Sequence, residues 1–469
     1  SSEQLASRDY FHQIDINGTD VAAPGPFAVS RHNPLAAAAK VTPLGSDSNE
    51  VFSNPRRIDL PKTSSPAPSA PLEGVKVVDF MWSLAGPFTS RALSDLGATV
   101  VKIESIHKPD AARGFLPIWD NEPGLERSAL FDTANAGKLS LALDMRSPEA
   151  IDVVRDLVGW ADLLCESFSP GTMRSWGLHY EALTELNPRL VMLSTCLTGQ
   201  FGPTSTFAGY GNLGAALSGF YGLAGWPDRA PTGPFGAYTD YTSTHFMLAT
   251  VLAALDHQRR FGVGEYIDIA QTEAALHFIS PALLDVSATG RVAQRAGNDD
   301  PEMVPHGGFP CAGDDNWVAI AVRGDDEWQR LCQVMGRGDL ENDVALASLE
   351  GRRSAQGRIE AEITKWTRTQ SAAEITSVLI NNEIAAHSVQ SSAECLADTQ
   401  LAHRKNFIWT EHPDRRCLVE NTRFSLSRSE VGPKARAPFL GEHTFEVLSD
   451  FLAYDENRIA DLAALEVLE

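Results

Sequence analysis

Asp240 is the residue whose setting best suits attack on a carbonyl carbon. The segment Gly236-Ala-Tyr-Thr239-Asp240 leads into an apolar stretch, Tyr241 to Leu255, that predicts a largely buried helix. An aspartate at such a start meets free N–H groups and the positive end of the helix dipole, and both favour the ionised form. A carboxylate held beside N–H donors can act as a nucleophile toward a thioester. It can equally be a helix cap, and local features alone leave both roles open. Gly209-Tyr-Gly211-Asn-Leu-Gly214 matches a dinucleotide fingerprint, which requires a strand entering the loop and an acid about twenty residues later. Here a Gly/Pro/Thr loop precedes it and position 234 is proline. Small residues for close packing or acyl-chain access explain the pattern better. Gly137-Lys138-Leu139 lacks the remaining residues of a phosphate loop, which argues against ATP-driven ligation. None of the twelve histidines forms an HExxH pair and no GxSxG elbow occurs, so neither a metal site nor a serine nucleophile is expected.

The elements that must carry Asp240 read as α/β. Val75 to Phe80 is a buried strand, Gly86-Pro87 opens a helix that runs to Gly97, and Ala98 to Glu104 is a second strand. Further strands at 161–165 and 190–194 each follow a helical stretch, which predicts a Rossmann-like parallel sheet. After Gly264 short strands and separate helices follow, with 317–322 the clearest strand. The expected plan is a large domain at 74–264, a smaller α+β domain at 265–390, and a C-terminal segment at 391–469 returning to the large domain.

A repeat precedes that plan. Gln4-Leu5-Ala6-x-Arg8-x-x-Phe11 returns as Gln400-Leu401-Ala402-x-Arg404-x-x-Phe407, Leu44-Gly45 as Leu440-Gly441, and Glu50-Val51 as Glu446-Val447. Gln400 less Gln4, Leu440 less Leu44 and Glu446 less Glu50 all give 396. A constant offset marks a duplicated unit, so residues 1–55 read as the tail of an upstream module. The stretch 56–73, rich in Pro and Ser, reads as an extended linker.

The balance of 39 basic against 61 acidic residues gives a net charge of −22, with the acids scattered. Such a surface repels nucleic acid and anionic membrane and suits a cytoplasmic protein. Six widely spaced cysteines fit a reduced compartment. The longest apolar run, 246–255, is too short to span a bilayer. No signal peptide is visible, and the initial Ser implies that the natural start is absent.

Several motifs in order then carry a resemblance. Pro71-Leu-Glu-Gly74-Val-Lys-Val-Val-Asp79, Leu84-Ala-Gly-Pro87, Asp95-Leu-Gly-Ala98 and Val101-Lys-Ile-Glu104 open it. Ser140-Leu-Ala-Leu-Asp144, Glu166-Ser-Phe168, Asn187-Pro-Arg-Leu-Val191, Gly262-Val-Gly264-Glu-Tyr-Ile-Asp268 and Pro438-Phe-Leu-Gly-Glu-His443 continue it. From Pro71 to about Leu448 the chain resembles the family III CoA-transferases, the group of carnitine, bile-acid and formyl CoA-transferases. The resemblance implies that Asp240 is the nucleophile and passes CoA between acids through an aspartyl-CoA thioester, with Gly307 and Gly308 in a small-domain glycine loop that shields the intermediate. It implies CoA contacts at Trp82, Ser83, Leu84, Ala85, Met145, Arg146, Ser167 and Phe168. In a chain of net charge −22, Lys102, Arg146 and Arg174 are candidate local cations for the CoA phosphates. CoA is then a substrate, and no permanently bound cofactor or metal is expected. The resemblance also implies an interlocked dimer, so residues 1–55 are expected to pack in a homodimer or in a pseudo-dimer with an upstream module. The chain departs from the family pattern at Ser105, Ser167, Gly211 and Ala215, changes that suggest a roomier acyl pocket for bulky acids. Two other readings are an α-methylacyl-CoA racemase and a non-catalytic CoA-binding module. The racemase histidine falls at Tyr210 here, and tyrosine is a poor base near neutral pH. The retained Asp240 argues against the non-catalytic reading.

Overall fold

The computed structural model describes residues 2–37, 39–54 and 69–469, and most of the expected linker lies outside the described residues. In the N-terminal segment, β1 (Phe11–Ile16) and β2 (Thr19–Pro24) pair as a hairpin, followed by the short β3 (Val29–Ser30). Then come β4 (Lys76–Phe80), β5 (Thr99–Glu104), β6 (Leu139–Ala142), β7 (Leu163–Glu166), β8 (Val191–Cys196) and β9 (Glu265–Ala270). These build one sheet in the order β3-β9-β8-β7-β4-β5-β6, parallel throughout except for the antiparallel edge strand β3. Its strands are apolar on both faces, as helices on both sides require. Val78, Leu164 and Met192 pack with Val153 and Leu157 of the helix Pro148–Trp160. Val77, Leu163 and Leu193 pack on the opposite side with Leu93 and Val251, from the helices Ala85–Asp95 and Tyr238–Phe261. The strand order turns back between β4 and β7, and at such a switch point a crevice opens beyond the strands' C-terminal ends.

A second compact unit comprises residues 221–232 and 294–404. It holds an antiparallel sheet of β10 (His306–Pro310), β11 (Trp317–Ala321) and β12 (Ala385–Ser388) over a core that includes Trp328, Leu331, Ile359, Ile375 and Leu379. The first unit takes residues 1–220, 233–293 and 405–469, the last stretch beginning with a hairpin of β13 (Phe407–Glu411) and β14 (Arg416–Glu420). Residues 265–293, expected in the smaller domain, thus lie with the large sheet. The helix Tyr238–Phe261 ends at Gly262 in a left-handed conformation, φ 74°, and drops the chain into β9 beside β8. That is an ordinary parallel crossover. Residues 391–404, expected with the returning segment, lie in the second unit.

The sequence repeat is also a repeat of structure. The helix Glu3–Ser7 returns as Thr399–His403, and the hairpin of β1 and β2 returns as that of β13 and β14. Asp9 and Lys405 share a left-handed backbone, φ 50° and 52°. Each hairpin closes with an equivalent bond, Gly25 N to Tyr10 O at 2.8 Å and Asn421 N to Asn406 O at 2.9 Å. All six cysteines are unpaired. Among the described residues no helix is long and apolar enough to cross a membrane.

Candidate active site

Asp240 is the third residue of the helix Tyr238–Phe261 and is 3% exposed. Its Oδ2 accepts a hydrogen bond from Gly211 N–H at 3.2 Å. Burial pushes the carboxyl up to about 6, against the opposing pull of Gly211 N–H and the Gln271 side chain. Desolvation therefore outweighs the helix-start effect expected from sequence. The glycines of the fingerprint-like motif explain the approach. A Cβ on Gly211 would sit 2.4 Å from Ala237 O and 2.6 Å from Asp240 N, and one on Gly214 would sit 2.2 Å from Thr239 Oγ1. The motif thus packs the helix Gly211–Leu217 against the start of the Asp240 helix and delivers an N–H to the carboxylate.

Asp240 lines a cavity of about 130 Å³ together with Trp82, Ser83, Leu84, Ala85, Ser167, Phe168, Thr195, Tyr210 and Gln271. These residues come from the end of β8 and from the segments that follow β4, β7, β8 and β9, so the cavity lies at the C-terminal end of the parallel strands. Trp82 N donates to Ser167 Oγ at 2.9 Å, tying the first two turns together. Ser83 holds a left-handed φ of 67° while its N–H donates to Asp110 Oδ1 at 2.7 Å. Phe168 N–H donates to Glu166 Oε2 at 2.8 Å, and burial pushes the Glu166 carboxyl up to about 7. Trp82, Phe168 and Ser169 are shared with a second cavity of about 450 Å³, lined also by His107, Lys108, Met145, Arg146 and Trp176. Trp82 and Phe168 meet edge to face with centroids 5.1 Å apart, and Trp82 Nε1 is buried with no protein partner. The larger chamber is of a size that holds a small-molecule ligand.

Eight of the expected residues therefore line two adjoining cavities with Asp240: Trp82, Ser83, Leu84, Ala85, Met145, Arg146, Ser167 and Phe168. Lys102 does not reach them. It is fully buried, and its ammonium donates to Met81 O at 2.7 Å and to Asp110 Oδ2 at 2.9 Å. Burial opposes its charge, but Asp110, Glu104 and Asp79 hold its pKa above the ordinary value. Lys102 acts as an internal strut beneath the turn that carries Ser83. Arg174 lines a third cavity, which meets the other two only at Ser169, and lies 3.5 Å from Glu181. Gly307 and Gly308 belong to β10, paired with Ile320 and Ala319, so they form part of a strand instead of the expected loop. Sequence reasoning missed Gln271, His107 and Lys108. For the last two a signal existed, a basic pair just past a strand end in an otherwise acidic chain.

The family described as CoA-transferase family III matches residues 72–444. The succinyl-CoA–D-citramalate CoA-transferase of Chloroflexus aurantiacus is 32% identical, over 86% of this chain and 100% of that protein. A probable CoA-transferase of Mycobacterium tuberculosis is 29% identical over 87% of this chain, but over only 51% of its own length. The crystal structure of a CaiB/BaiF family protein from Brucella suis superposes with a TM-score of 0.76 at 29% identity, covering 82% of this chain and 100% of that one.

Proposed function

The chain belongs to CoA-transferase family III, and from that premise we propose that Asp240 carries CoA between carboxylic acids through a covalent aspartyl thioester. One observation carries the reading: a buried carboxylate opens into a cavity that continues into a larger one lined by aromatic and basic side chains. An Asp240 oxygen attacks the acyl carbon of the donor thioester, and the carbon–sulfur bond breaks to give a mixed anhydride and CoA thiolate. The thiolate attacks the aspartyl carbonyl carbon, forming aspartyl-CoA and releasing the donor acid as its carboxylate. The acceptor carboxylate then attacks the aspartyl carbonyl and expels the thiolate, which takes the acceptor acyl group and frees Asp240. Thioester energy is conserved at every step, so no nucleotide is consumed. Gly211 N–H stabilises whichever aspartyl oxygen carries charge. The chamber holding Met145, Arg146, His107 and Lys108 suits the nucleotide end of CoA, with Trp82 Nε1 a donor for the pantetheine arm. The role of Gly307 and Gly308 in shielding the intermediate rests on the family resemblance alone.

The small, polar wall around Asp240, with Ser167, Thr195 and Gln271, favours a short polar acid, against the roomier pocket for bulky acids expected from the sequence, because the space beside Gly211 is filled by the start of the Asp240 helix. A panel of succinyl-CoA and acetyl-CoA donors against mono- and dicarboxylic acids tests this. Asp240→Ala is expected to lower transfer roughly a thousandfold or more. Incubation with donor alone is expected to leave a hydroxylamine-sensitive mass increase on the Asp240 peptide. Transfer at the parent rate by Asp240→Ala sinks the reading.

The repeat supports a partner reading as well. In the N-terminal copy the first part is buried on this module, while Leu44, Val51 and Phe52 near its end are exposed. In the C-terminal copy the hairpin is covered alike, at Cys417 and Val419, but the two ends exchange: Val447 and Leu448 are buried in this module's core, while Gln400, Arg404, Phe424 and Leu426 are exposed. The outward halves fit a second module of the same fold, in an interlocked pseudo-dimer. A relative that this chain matches over only 51% of its length supports two modules in one chain. The reading also places the enzyme in the cytoplasm.

A further inference from the structure

The N-terminal helix Glu3–Ser7 and the residue after it grip the two backbone segments that form the walls around Asp240. Arg8 donates from Nε to Glu273 Oε1 at 2.5 Å, from Nη2 to Glu273 Oε2 at 3.0 Å and from Nη1 to Asp268 Oδ2 at 2.7 Å. Asp268 and Glu273 bracket Gln271, which lines the cavity beside Asp240 and whose side chain favours the ionised Asp240 carboxyl. Gln4 Nε2 donates to Thr198 O at 2.7 Å and Phe201 O at 2.8 Å, and Thr204 N–H returns a bond to Gln4 Oε1 at 2.8 Å. That loop runs on to 205–210, which lines the same cavity as Gln271. The loop is moulded to its visitor. A Cβ on Gly199 would come within 2.3 Å of the Arg8 guanidinium, and one on Gly202 within 2.5 Å of the Gln4 amide. Neither Gln4 nor Arg8 touches the cavity itself.

We propose that Gln4 and Arg8 are positioning residues for Asp240, supplied by a repeat segment that precedes the catalytic fold. The inference deepens the nucleophile reading and rests on it. An ion pair at this depth holds its partners in one geometry, and losing a clamp far from the chemistry displaces reacting groups by fractions of an ångström. The equivalent residues of the second copy, Gln400 and Arg404, are exposed here and provide a matched control.

The test uses the full chain carrying Arg8→Ala, Arg8→Lys, Gln4→Ala or Arg404→Ala. The donor is succinyl-CoA or acetyl-CoA, whichever turns over faster in the panel above. Folding is checked by circular dichroism. Arg8→Ala is expected to lower kcat at least about tenfold and to leave KM for the donor within about threefold, because the larger chamber assigned to the nucleotide end of CoA has no contact with Arg8. Its acid limb is expected to move to lower pH as water reaches a loosened wall and Asp240 relaxes toward the ordinary 3.8. Arg8→Lys recovers part of kcat, Gln4→Ala loses about threefold, and Arg404→Ala matches the parent. Folded Arg8→Ala and Gln4→Ala proteins with parental kcat and acid limb overturn the proposal. If Arg8→Ala does not fold, Gln4→Ala and Arg8→Lys decide: reduced kcat supports it and parental kcat overturns it. Asp240→Ala separates the failures. Its survival as an active enzyme removes the nucleophile reading, whereas its inactivity beside unaffected Gln4 and Arg8 variants removes the positioning role alone.

Discussion

The two copies of the repeat share a backbone and differ in what they touch. Helix, left-handed residue and hairpin recur at one offset, yet Phe52 is 82% exposed while its counterpart Leu448 is 0% exposed. Arg8 fills an acidic pair, while Arg404 faces outward. Conformation is therefore written locally in these fifty-odd residues, and energetic weight comes from the surface each half meets. The N-terminal copy also extends the main sheet, since β3 pairs antiparallel with β9. No strand forms at the matching positions, Ser425 and Leu426.

The contrast can be broken most decisively at the arginines. Removing Arg8 leaves Asp268 and Glu273 buried without a countercharge, which is expected to cost about 3–5 kcal/mol in denaturant unfolding. Equal losses for Arg8→Ala and Arg404→Ala would mean that the second copy is docked too. Next in size is the hydrophobic pair. Leu448→Ala empties space in the sheet's core and is expected to cost about 2–5 kcal/mol, while Phe52→Ala lies within about 0.5 kcal/mol of the parent. Urea midpoints for the two variants check this.

The third expectation concerns the carboxyl that the docked copy supports. Its folded pKa, about 6, lies above the ordinary 3.8, so the native state binds this proton more tightly than the unfolded chain does. The stability that comes with protonation is present below the ordinary value and is lost as pH rises through 6. Asp240→Asn is accordingly expected to raise stability by about 2–3 kcal/mol above pH 7 and by nothing at pH 3.5. Thermal melts at both pH values test the sign. In the parent enzyme, transfer is expected to fall below about pH 6 as Asp240 takes its proton. The smallest effect is at Arg404, whose replacement by Ala is expected within about 0.5 kcal/mol of the parent. A larger loss would show that this exposed position already has a contact in the chain alone.

Much of the large sheet was legible in the sequence. The strand at 75–80, the helix after it and the strand at 98–104 were read within two residues of the observed β4, Ala85–Asp95 and β5. Short β-branched runs alternating with a helix opened by Gly-Pro leave little conformational choice. The membership of β9 was not legible. Gly264 to Ala270 is a good strand in any sheet, and only its register against β8 assigns it to the first unit. Lys102 misled for a related reason. Its motif is genuine, but a lysine on a strand can point to solvent or to a buried acid, and Asp110 claims it here.

By itself the sequence determined the repeat and its offset, the parallel core, and an aspartate at the start of a buried helix. These follow from local spacing, which residue order records directly. Tertiary structure alone decided which half of each repeat is covered, that Gly211 reaches Asp240, and that burial lifts this carboxyl toward neutrality. Those properties depend on groups far apart along the chain: desolvation and close approach belong to the neighbours a residue meets in space, and residue order does not list them.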